Sequence, residues 1–199
     1  NRIESWPYSP NTTSAITLSA IWVSPCTSTT TTFVGTGTAN TTSATYGTNG
    51  KTYTQTRINA TGTCGWVVPQ GVTAADIMIV GGGGAGSYYG LAGGGGAGAV
   101  LVSKQPVSLA AGSQYLVQIG AGGTFTLVDQ TLVGNTGTKG AQSRFGEFIA
   151  AGGGYGAGGT TVAPPATSGG SGGGGAACTS RAGAAAGANP NYSLFDYFA

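Results

Sequence analysis

The 199-residue chain has no histidine, and charged side chains make up only 6% of it. Each scarcity removes a class of chemistry. Histidine is the commonest neutral-pH base and a common metal ligand. The five carboxylates are dispersed, and no serine sits in a G-x-S-x-G motif. Asp76, and Glu147 beside Arg144, read as surface charges or a single ion pair. The positioned acid, base or nucleophile that an enzyme needs is missing, so no enzymatic activity is expected. The cysteines are Cys26, Cys64 and Cys178, without the paired spacing of a zinc ligand set. The seven basic residues form no run. A nucleic-acid partner, which needs clustered cations to displace counterions, is therefore not expected. No apolar run approaches the ~20 residues that span a bilayer, so no membrane span is expected either. The chain begins without Met and without a signal-like apolar segment, and reads as a mature or trimmed product.

Glycine is what the chain has in excess. Residues 1–80 hold 7 of the 40 glycines and residues 81–199 hold the other 33. The change comes where Ile77-Met78-Ile79-Val80, which reads as a buried strand, runs into Gly81-Gly82-Gly83-Gly84-Ala85-Gly86. Gly81, Gly83 and Gly86 satisfy G-x-G-x-x-G by spacing. A dinucleotide site also needs a helix at the last glycines and an acid about 20 residues on. The chain continues through Gly90 to four glycines at 93–96, each costing a helix roughly 1 kcal/mol against Ala. No Asp or Glu lies between Asp76 and Asp129. The match is rejected, and no cofactor is expected.

In order, the chain divides into an extended arm (1–14), a Thr/Ser-rich β region (15–62) and a glycine-rich β domain with an aromatic tail (63–199). Pro7 and Pro10 bar a helix in the arm, whose Ile3, Trp6 and Tyr8 lack a local partner. These three side chains either lie along the domain's own sheet or add a strand to a neighbouring subunit. Ile16, Leu18, Ala20 and Trp22 alternate with Thr17, Ser19, Ile21 and Val23, which is strand periodicity. Asn49-Gly50 suits a hairpin turn across which Tyr46 and Tyr53 would pair. Cys26 and Cys64 flank the Thr-rich stretch and are candidates to close it as a disulfide. Cys178, in a glycine-rich context, is either free or paired outside the chain. Sequons at Asn11, Asn40, Asn59 and Asn191 are candidate glycan sites of a secreted glycoprotein, and dense Thr can carry O-linked sugars.

Residues 160–188 contain almost no large apolar side chain and alone would read as a linker. They end in Tyr192, Leu194, Phe195, Tyr197 and Phe198, so the tail is expected to dock. Short strands joined by glycine blocks predict an all-β, sandwich-like fold. Glycine blocks become structural if polyglycine II-like segments pair laterally at close backbone distance. The competing expectation is disordered, silk-like glycine.

Four ordered motifs carry a family resemblance. They are Trp66-Val67-Val68-Pro69-Gln70-Gly71-Val72 leading to 77–84; Gly93-Gly94-Gly95-Gly96-Ala97-Gly98-Ala99-Val100; Tyr115-Leu116-Val117-Gln118-Ile119-Gly120-Ala121-Gly122-Gly123; and Gln142-Ser143-Arg144-Phe145-Gly146 followed by Ala151-Gly152-Gly153-Gly154. Over residues 63–160 the chain resembles the glycine-rich domain of phage tail-fibre and bacterial surface proteins, with Gln142 in place of the usual Asn. The resemblance implies an extracellular or virion-surface β-domain with no catalytic residues. The Thr-rich part and the aromatic tail depart from it. Two functions are expected from these features. One is a fibre or filament subunit that self-assembles into a homo-oligomer or helical homopolymer through its ends, with Ile3, Trp6, Tyr8, Leu194, Phe195, Tyr197 and Phe198 as joints. The other is an adhesin tip binding a surface glycan or receptor, with Tyr88, Tyr89 and Tyr155 as stacking platforms.

Overall fold

The structure is a computed structural model that describes residues 24–34, 52–87, 92–125, 137–159, 164–177, 182–187 and 192–198. It is all-β, with no α-helix among the described residues. The β-branched runs Thr29–Val34 (β1) and Thr52–Arg57 (β2) form an antiparallel ribbon of their own. Its register sets Tyr53 opposite Phe33. Tyr46 and Asn49-Gly50, and with them the tyrosine pairing expected from the sequence, lie outside the described residues. A disulfide joins Cys26 to Cys64, with Cα atoms 4.8 Å apart. Beside it, Pro25 forms a parallel bridge to Gly65.

Gly62–Val67 (β3), Gln114–Ile119 (β8), Ser143–Phe145 (β9) and Phe148–Ala150 (β10) form an antiparallel sheet in the order β10-β9-β8-β3. Gly146, at φ +57, begins the two-residue turn between β9 and β10, a conformation that glycine adopts without strain. The Arg144 guanidinium donates to the Gly146 carbonyl at 2.9 and 2.6 Å, and Glu147 is exposed. Ala74–Ala75 (β4) and Val107–Ser108 (β7) make a short second ribbon. Met78–Val80 (β5), Val100–Ser103 (β6) and Phe195–Phe198 (β11) form the third sheet, in the order β11-β6-β5.

The apolar core lies where one face of this third sheet meets β9 and β10. Ile79, Leu101 and Phe195 are buried with Ala99 and Ala150, against Phe145 and Phe148. Strand β5 corrects the sequence expectation of a fully buried strand. Ile79 is buried, but Met78 is 65% exposed and Val80 is also exposed. Alternation sends 78 and 80 to the sheet's other face, and no described element covers it.

The glycine blocks are hydrogen-bonded to one another with a period of three residues. The amides of Gly81, Gly84 and Ser87 donate to the carbonyls of Ala99, Gly96 and Gly93 at 2.8–3.0 Å. Those of Gly82 and Ala85 donate to Ala141 and Thr138, on a different neighbour. The carbonyls of Gly82 and Ala85 accept from Gly153 and Gly156, on a third. Gly93, Gly96 and Ala99 donate in turn to Ala157, Gly154 and Ala151, each at 2.8 Å. A further row, Ser171 and Gly174, donates to Ala97 and Gly94. Three residues is the repeat of a polyproline II helix, whose backbone groups point outward and are free to pair laterally.

Such bonds contribute only about 0.5–1.5 kcal/mol each, against about 1–2 kcal/mol to order each residue, and glycine is the costliest to order. Hydrogen bonds alone therefore do not hold the bundle together; close packing must add to them. A methyl placed on Gly154 would lie less than 3.0 Å from the Thr167 carbonyl, and one on Gly152 would meet that of Gly140. Gly94, by contrast, is exposed with nothing within 4 Å of where its Cβ would be. Gly154→Ala is expected to lower stability in denaturant titration by at least about 1–3 kcal/mol, as overpacking does. Gly94→Ala should be neutral, or stabilising by about 0.4–1 kcal/mol through the unfolded state.

Candidate assembly surface

Among the described residues no three His, Cys, Asp or Glu side chains come together in a way that could hold a metal. The surface feature that distinguishes the molecule is the third sheet. Its register aligns Met78, Val102 and Asp196 in one row and Val80, Val100 and Phe198 in the next. Met78, Val80, Val102 and Phe198 are all exposed, Phe198 at 58%. Apolar side chains rarely gather on a solvent face without a partner. The polar member, Asp196, pairs with Lys104 at 3.6 Å; both are exposed, so the pair adds little stability.

Among the described residues, strand β11 is an edge of this sheet. The Lys104 amide donates to the Leu194 carbonyl at 3.0 Å, which turns the backbone of residue 194 toward β6. By antiparallel alternation residues 196 and 198 also face β6, and Tyr197 turns its amide and carbonyl to the open side. A groove of about 490 Å3 adjoins the strand, lined by Lys104, Tyr192, Ser193 and the β11 residues 195–198. The Tyr197 hydroxyl is buried and has no hydrogen-bond partner among the described residues, although its ring is partly exposed. Burial pushes its pKa above the usual tyrosine value.

The tail reaches this position through Tyr192. Its hydroxyl accepts the Ile149 amide at 3.2 Å and donates to the Glu147 carbonyl at 3.3 Å. Its ring meets Phe148 edge-on at 5.4 Å, and Phe148 lies 4.5 Å from Phe195. Phe195 is only 3% exposed, so as a joint between subunits it is already used inside its own core. Leu194, Tyr197 and Phe198 remain at the surface, Tyr197 only in part.

Comparison with known proteins identifies the chain. The family model described as a glycine-rich domain matches residues 58–193, more than half of the sequence. The chain belongs to the glycine-rich domain family. No curated protein and no solved structure matches it. In this family member the match runs past residue 160, where the resemblance read from the sequence stopped. It takes in the rows around Ser171 and Gly174 and reaches Tyr192.

The remaining sequence candidates are spread over the glycine-rich domain and beyond it. Asn59 is exposed between β2 and β3. Asn11, Asn40, Asn191, Cys178, Ile3, Trp6, Tyr8, Tyr88 and Tyr89 lie outside the described residues. Tyr155 is half-buried, with its amide on the Thr167 hydroxyl at 3.0 Å, so its backbone belongs to the bundle. Sequence reasoning missed Met78, Val80 and Val102, because continuous apolar runs do not reveal which face stays open; only the register does.

The raised Tyr197 pKa fixes a sign for pH dependence. The neutral phenol is favoured in the folded state, so its contribution is fully present below pH 10 and is lost as pH rises through the folded-state pKa. Tyr197→Phe should make the near-ultraviolet dichroism of the tail less sensitive to pH above 10. An unchanged alkaline transition would show that Tyr197 has no part in it.

Proposed function

We propose that this chain is a non-enzymatic structural subunit of an extracellular fibre or filament, and that it self-associates through its terminal segments. The observation that carries this reading is the C-terminal strand β11. It is docked firmly enough to be part of the domain, yet it combines an open backbone edge with a contiguous apolar face. In the resting domain the polyglycine II-like bundle serves as a rigid frame made largely of backbone, and the disulfide suits an oxidising, extracellular setting. Low net charge, +2 over the chain, leaves little repulsion between copies.

A glycan- or receptor-binding tip, as on a phage tail fibre, is the second reading. It draws on the partly exposed Tyr155 as a stacking platform.

Sedimentation and negative-stain microscopy of the native protein test the two. Regular filaments support the subunit, and their loss on deletion of residues 1–10 would put a joint in that arm. A discrete monomer or trimer that binds on a glycan array supports the tip instead, and filaments unaffected by the deletion would refute joining through residues 1–10.

A further inference from the structure

We infer that the open edge of β11 accepts residues 16–23 of a second copy as an added β-strand, so that each subunit is both donor and acceptor. This rests on the self-assembly reading above and names its joint. The acceptor side stands on three observations. The Tyr197 amide and carbonyl face outward from an edge strand, which is the template that strand addition uses. The adjacent groove along Tyr192, Ser193 and Phe198 gives an added strand room beside that edge. Phe198, next to that edge, is 58% exposed and leaves an apolar side chain for an added strand to cover.

The donor is chosen by chemistry. The acceptor's exposed face is apolar, and its charged pair, Lys104 with Asp196, is already matched. An occupant therefore needs alternating apolar residues, no charge and no proline within the paired run. Residues 16–23 present Ile16, Leu18, Ala20 and Trp22 on one side, and the chain carries no charge between Glu4 and Lys51. The preceding arm fits less well, because it holds Arg2, Glu4, Pro7 and Pro10. Eight extended residues reach about 27 Å, twice what the four residues of β11 need.

The donor's anchorage sets the geometry of the joint. The described chain begins at Ser24, whose carbonyl accepts the Gly65 amide at 2.8 Å, and the disulfide two residues on fixes it to β3. Donor and acceptor thus leave from different sheets, one beside β3 and the other at β11. A contact between unlike surfaces is heterologous: it does not close as a two-fold dimer, and it propagates as an open row where the rotation between copies does not close a ring.

Two variants and their mixture test this. Deleting residues 1–23 removes the donor and keeps Cys26. Phe198→Lys places a charge on the exposed face of the acceptor, and Val102→Lys serves the same purpose should Phe198→Lys melt early. Neither lesion alone should sediment as more than a monomer, whereas the two proteins mixed should give a 1:1 heterodimer. In assembled wild-type protein the Tyr197 amide, which faces the open side of β11, should exchange at least about tenfold more slowly than in the deletion variant. If the wild type forms filaments and the deletion variant does too, the joint is wrong while the self-assembly reading stands. If the wild type is a monomer whose Tyr197 amide is protected until the deletion is made, the donor folds back on its own chain. That result overturns exchange between copies and the assembly reading together.

Discussion

Backbone-to-backbone pairing without intervening side chains is the constraint on which the rest of this structure depends. Where Gly96 lies against Ser171, Gly84 against Gly154, and Gly152 against Gly140, a neighbouring carbonyl occupies the place a Cβ would take. Those approaches bring donors and acceptors within 2.8–3.0 Å across several rows at once. Each contact is weak after solvent exchange, and a Cα–H···O contact adds only about 0.5–1 kcal/mol. The bundle is held by their number and by the exclusion of water, not by any one of them. It follows that a side chain in the interior is a defect rather than a source of stability.

A frame of this kind has nowhere to put large apolar residues except at its ends and margins. The rows around Gly81 and Ala99 run directly into β5 and β6, and the row at Ala151 continues from β10. The apolar core formed by Ile79, Leu101, Phe195, Phe145 and Phe148 therefore caps the bundle where its rows enter and leave. It is a thin core. One face of the β11-β6-β5 sheet suffices to build it, which leaves the opposite face, with Met78, Val80, Val102 and Phe198, uncovered. The exposed apolar surface is thus a consequence of how a glycine bundle is terminated.

Much of this was legible in the sequence, and the failures share one cause. The all-β class, the strand within 77–80 and the docking of the aromatic tail follow from local composition and appear at those places. Partnership did not follow. Tyr53 stands opposite Phe33, on a strand that the sequence did not assign to it, and Arg144 turns to the Gly146 carbonyl. Met78 points to solvent from a run that looked buried on both sides. The three-residue rhythm of the glycine blocks was equally hidden, because glycine at every position carries no phase. Phase enters only through the neighbours that each amide finds, and those lie far along the chain: Gly93 bonds at Ala157, Gly174 back at Gly94.

The same reasoning explains why the candidate surface sits on β11 and not on the bundle. A glycine row offers backbone groups but no side chains, so it can say where a neighbour lies without saying which neighbour. Strand β11 carries both kinds of information. Its outward amide and carbonyl at Tyr197 accept any extended chain, while Phe198, with Val102 and Met78 beyond it, demands that the chain be apolar on alternate positions. Selectivity between possible strands then comes from the side chains, as it does wherever an extended segment joins a sheet edge. In the proposed filament the division of labour is plain: the glycine bundle sets the spacing of subunits, and the few large residues displaced to its margin decide what they join.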